Sequence, residues 1–64
     1  MNDERVQELV KWARERIKGC PKLKDEINDL LQLAIDEMED GASVSNEINL
    51  CMSDINELLK ENCN

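Results

Sequence analysis

The chain contains no histidine, tyrosine or phenylalanine, and only one tryptophan. Without histidine it lacks the commonest general base and the commonest side-chain metal ligand near neutral pH. Long apolar runs are missing too, and 36% of the residues are charged, so no segment reads as a membrane span. No basic start leads into an apolar stretch, so no signal peptide is expected. Helix breakers are scarce, with two glycines and one proline, and they cluster at two places. Basic residues are also few, 8 Lys and Arg against 15 Asp and Glu, for a net charge of -7. What is abundant is apolar residues, 41%, too many for a disordered acidic tail. The expectation is a small, soluble, folded chain forming a single helical domain over 1–64.

Size limits what such a domain can bury. A chain of 7.4 kDa should expose about 4,200 Å² folded and lose about 60% of its unfolded surface. The apolar share contributes on the order of 100 kcal/mol, and ordering 64 residues costs about the same. A fold this marginal gains from self-association or from a partner.

The breakers Gly19-Cys20-Pro21 and Gly41-Ala42-Ser43 divide the chain into three segments. Within each, apolar residues step by four and three. The first stripe is Val6, Val10, Ala13, Ile17 and Cys20, widened by Leu9; the second is Leu23, Ile27, Leu30 and Ala34, widened by Leu31, Ile35 and Met38; the third is Val44, Ile48, Cys51, Ile55 and Leu58, widened by Met52 and Leu59. That period belongs to amphipathic helices, since strands need period two. The expected fold is an all-α, antiparallel up-down-up three-helix bundle, with helices over about 3–18, 22–40 and 44–62. Asn2 or Asp3 would cap the first helix and Ser43 the third, Gly19 suits a left-handed position after the first helix, and Gly41 closes the second. The surviving alternative is a hairpin of the second and third helices that dimerises into a four-helix bundle.

Charge is segregated along the chain. Residues 1–24 carry seven basic and four acidic groups, net +3, and residues 25–64 carry one basic and eleven acidic groups, net -10. In the bundle, Arg14, Arg16, Lys18, Lys22 and Lys24 gather at one end, with Lys60 nearby. The second helix runs against the dipole rule, because Asp36, Glu37, Glu39 and Asp40 sit at its negative finish.

Chemistry is hard to build from these residues. Cys20, Cys51 and Cys63 have no CxxC spacing and no histidine to complete a zinc site. Cys51 lies on a core stripe. Cys20 and Cys63 fall at the same end of the bundle, where a bridge fits geometrically. An odd cysteine count with no secretory signal nevertheless predicts three reduced thiols and a cytoplasmic setting. Glu26-x-x-Asp29 and Glu37-x-x-Asp40 each set two acids one turn apart. In spacing they resemble the Mg²⁺-holding pairs of all-α nucleotide pyrophosphohydrolases. That family places its pairs on separate helices of a longer chain, whereas both pairs here lie on one helix. A solvated acidic face is the expected reading, with no enzyme activity, no cofactor, no metal and no small-molecule substrate.

Trp12, Leu33 and Leu50 lie off the core stripes. Leu33 sits among Glu26, Asp29, Glu37 and Asp40, and Leu50 among Glu47, Asp54, Glu57 and Glu61. Apolar centres in charged rims are the anatomy of contact surfaces, and tryptophan is a favoured anchor. The sequence therefore predicts a small acidic interaction protein, binding a protein partner or itself through Trp12, Leu33 and Leu50. The alternative is a nucleic-acid mimic, in which Asp36, Glu37, Glu39 and Asp40 belong to a carboxylate array that occupies a DNA-binding groove. Direct nucleic-acid binding is disfavoured by the net charge.

Overall fold

The computed structural model describes residues 3–63. It forms three helices, α1 (Glu4–Gly19), α2 (Lys24–Glu39) and α3 (Val44–Asn62). A single 3-10 turn, Pro21–Leu23, leads into α2. No strand occurs among the described residues. The expected all-α three-helix bundle is the observed one. It measures 34 × 17 × 16 Å and exposes 4479 Å², close to the area its mass implies.

Side-chain contacts fix the directions of the helices. Arg5 Nη1 donates to Ser45 Oγ at 3.1 Å, joining the starts of α1 and α3. Cys20 and Cys63 join their ends, so these two helices run parallel. The Cys51 thiol reaches the Leu30 carbonyl oxygen at 3.7 Å, and Leu50 shares a groove with Leu33. Going up α2 from Leu30 thus means going down α3 from Cys51, and these neighbours are antiparallel.

The stripes meet along the axis. Ile27 and Ile55 are completely buried, with Leu9, Ala13, Ala34 and Cys51 beside them. Among the described residues no polar or charged residue is buried, so the interior is packed from apolar side chains and cysteine.

The ends of the helices show how each is started and stopped. Asp3 caps α1, its Oδ1 accepting from the Arg5 backbone N–H at 2.8 Å, and its other oxygen meets Arg5 Nη2 at 2.9 Å. The other cap candidate, Asn2, lies outside the described residues. Hydrogen bonding from the Arg5 side chain, then from its backbone, holds the Asp3 carboxyl below its ordinary value. The stability this carboxylate contributes is complete above the usual carboxylate range and is lost as pH falls through its lowered value. Ser43 caps α3, its Oγ accepting from the Asn46 backbone N–H at 3.4 Å. The second helix has no such side-chain cap. It begins two residues later than the sequence suggests, because Pro21 opens the 3-10 turn instead.

The two glycines differ from expectation in one case. Gly41, expected to close α2, follows it with φ 103. Gly19 does not adopt positive φ, being the last residue of α1, and Cys20 in an open conformation closes that helix. A Cβ would meet nothing within 4 Å at either site. Gly41→Ala should therefore cost about 1–2 kcal/mol through backbone strain alone. Gly19→Ala should stabilise by up to about 1 kcal/mol. Urea melts of the two variants should move in opposite directions; a parallel shift would refute the assignment.

The cysteines bring the main correction. The expected three free thiols are not found: Cys20 and Cys63 form a disulfide, with Cα atoms 6.3 Å apart. The parallel course of α1 and α3 makes it possible, by setting the residues that follow both helices side by side. Only Cys51 remains free, and it is buried as its stripe position implies.

Candidate functional site

Exposed apolar side chains are the most informative surface feature. Leu33 is 59% exposed and Leu50 52%, the large exposed hydrophobics among the described residues. They come from different helices, yet they line one groove between α2 and α3. The register explains why. In an antiparallel pair with Leu30 opposite Cys51, Leu33 and Leu50 each stand on the flank that faces outward beside the same seam.

The floor of this groove is Leu30, Ala34 and Cys51, and its volume is about 240 Å³. The rim is Glu37 from α2 with Glu47 and Asp54 from α3, and no lysine or arginine lines it. Burial pushes the Cys51 thiol above its ordinary value, and the Asp54 and Glu47 carboxylates push it the same way. A raised thiol favours the protonated folded form, so its contribution to stability is full below the usual thiol range and declines as pH rises beyond it. A protonated thiol is also a poor nucleophile. Iodoacetamide should label the native, non-reduced protein slowly at pH 8, then take one label per chain in denaturant and three after reduction. Three labels before reduction would contradict the bridge.

Trp12 is not in this groove. It is half-buried and lines a separate depression between α1 and α3, of about 460 Å³, together with Leu9, Ile48 and Met52. Its ring packs against the core, and the Arg16 guanidinium lies over it, 5.0 Å from the centroid. Leu50 and Met52 are about 200° apart around α3 at 100° per residue, so the two grooves open on opposite flanks of that helix. The three off-stripe residues therefore split into a pair and a single.

The four acids at the end of α2 also divide. Glu37 joins the groove rim, and all four side chains are exposed. Asp36 accepts from Gln32 Nε2 at 3.0 Å, and Asp40 ends the helix. The last turn of α2 contains no basic residue, so its carboxylates meet the negative helix end without a local cation on that turn. Among the described residues, no group of three or more cysteine or carboxylate side chains could hold a metal ion.

Sequence reasoning missed the role of Cys51 and Ala34 as the groove floor. The available signal was their placement next to Leu50 and Leu33, but a core stripe hides which of its members also faces an outer seam. The depression around Trp12 depends on the register of α1 against α3, residues some forty apart in sequence, and no local pattern encodes it.

Comparison with protein-family models, with curated proteins and with solved structures gave no match.

Proposed function

We propose that this protein is a non-catalytic interaction module, and that the groove between α2 and α3 is its contact surface, with Leu33 and Leu50 as the anchors. The observation that carries this reading is the convergence of the two large exposed leucines on one groove with an acidic rim. Isolated surface leucines are ordinary, but two from separate helices on one seam make a patch. Trp12 belongs to the packing of α1 on α3 in this reading and is not a binding residue. No membrane contact is proposed: among the described residues, no helix is long and apolar enough to cross a membrane.

The nucleic-acid mimic is the second reading, favoured by the carboxylates at the end of α2 that no cation on the last turn offsets. The two readings part on what carries the affinity. Helical peptides selected from a displayed library against the folded protein should lose binding on Leu33→Glu or Leu50→Glu and keep it on Trp12→Ala. Trp12→Ala should instead lower stability, by about 2 kcal/mol for a half-buried ring. Binding that survives both leucine changes, yet fails when Asp36, Glu37, Glu39 and Asp40 become Asn and Gln, would favour the mimic.

The cytoplasmic expectation came from an odd cysteine count and the lack of a secretory signal, and it implied reduced thiols. Because Cys20 is joined to Cys63, we instead propose an oxidising setting for the working protein, where such bridges persist.

A further inference from the structure

We infer that the occupant of the α2/α3 groove is a basic amphipathic helix of a partner protein, with an apolar centre and lysine or arginine one to two turns away on both sides. The inference rests on the groove being the contact surface. Three features of the molecule select this occupant.

The first is the surface available to a partner. Among the described residues the chain has no strand, hence no open sheet edge to which an extended peptide could be added. What it offers is a seam between two antiparallel helices, and a third element laid in such a seam repeats the packing already used inside the bundle. A helix arrives with its own backbone hydrogen bonds made, so only its side chains must find partners.

The second is charge. Glu37, Glu47 and Asp54 frame Leu33 and Leu50 directly. Beyond them the helical spacing carries the same sign outward. Glu26 and Asp29 precede Leu33 by two turns and one, and Glu57 and Glu61 follow Leu50 by two and three. All four are exposed. Because α2 and α3 are antiparallel, these four meet beyond one side of the leucine pair, while Glu37, Asp40 and Glu47 lie beyond the other. Lys24 lies roughly 180° around α2 from Leu33 at 100° per residue, so it does not interrupt the acidic face, while Lys60 lines a depression with Glu57 and Glu61 and offsets part of their charge, leaving that end net acidic. The groove is thus apolar in the middle and negative at both ends, with about 10 Å from Leu33 to Glu26 at 1.5 Å per residue. The complementary ligand is apolar in the middle and positive at both ends.

The third excludes a second copy of this chain. A two-fold pairing of like grooves would set acidic rim against acidic rim. The basic end of the bundle, with Arg14, Arg16, Lys18, Lys22 and Lys24, carries none of the exposed large hydrophobics seen among the described residues, so it supplies charge without an anchor.

The test uses three peptides of one length and one apolar pattern, differing only in whether the flanking positions are Lys, Gln or Glu. Each is titrated into the folded, oxidised protein labelled with ¹⁵N, at low and at high salt. The Lys-flanked helix should bind at least tenfold more tightly than the Gln-flanked one, the Glu-flanked one should bind least, and the difference should shrink as salt rises. Shifted amides should map to Leu30–Glu37 and Glu47–Asp54, and Leu33→Glu should abolish them. If the Gln helix binds in the groove as tightly as the Lys helix, the basic partner is wrong while the groove reading stands. If no peptide shifts these amides, or shifts persist in Leu33→Glu, the groove reading itself fails. A dimer in sedimentation that Leu33→Glu dissociates would replace the partner with a second copy and overturn the proposal.

Discussion

Reducing the Cys20–Cys63 bridge should destabilise the fold by about 4 kcal/mol, from the entropy that a closed loop of this size removes from the unfolded chain. The bridged residues are 43 apart in sequence, so the loop takes in two thirds of the molecule. The core it supports is small: ten residues are buried among those described, two of them alanine and two cysteine. A bundle of this size has little stability to spare. The expected result is a midpoint lower by about 15–30 °C on reduction, since each 1 kcal/mol shifts a domain of this length by about 4–8 °C. Cys20→Ser with Cys63→Ser should reproduce the shift without a reductant. Equal melting of oxidised and reduced protein would show that the helices hold without the bridge.

Ile27→Ala and Ile55→Ala should be the most damaging substitutions of apolar side chains, costing about 2–5 kcal/mol each. Both isoleucines are entirely buried, and they are the largest side chains so enclosed. Truncating either leaves a hole lined by neighbours from other helices that cannot close without moving a backbone. Ile35→Ala provides the internal comparison, because Ile35 is only partly buried and should lose clearly less. Denaturant melts of the three variants, oxidised, test the ranking. A loss at Ile35 equal to that at Ile27 would mean that the axis of the core is misplaced.

The architecture was legible because every level of the sequence agreed. The 3–4 stripes, the two breaker clusters and the Ser43 cap all called for the same three helices, and eight of the ten buried residues lie on those stripes while the other two, Leu9 and Met38, widen them. Gly19 misled because a glycine near a helix end permits positive φ but does not demand it, and Pro21 accepted the turn instead. The bridge was half legible. Parallel α1 and α3 put Cys20 and Cys63 at one end, and it was the inference from compartment, not the geometry, that favoured free thiols. The contact surface was the least legible part. Periodicity gives the angle of Leu33 around its own helix and of Leu50 around its own, but their meeting depends on the sliding register of α2 against α3. The same missing register made Trp12 look like their companion.

The bridge also decides how the molecule would answer a mechanical pull. Drawn apart at residues 3 and 63, the load runs up α1 to Cys20 and crosses the sulfurs to Cys63, so that α2 and α3 hang outside its path. Only α1 can pay out, yielding about 60 Å of slack chain at about 3.5 Å per residue, against about 210 Å once the sulfurs are parted. The two helices that frame Leu33 and Leu50 carry no load themselves, and they are disturbed only through the loss of Val6, Leu9 and Ala13 from the core they share with α1.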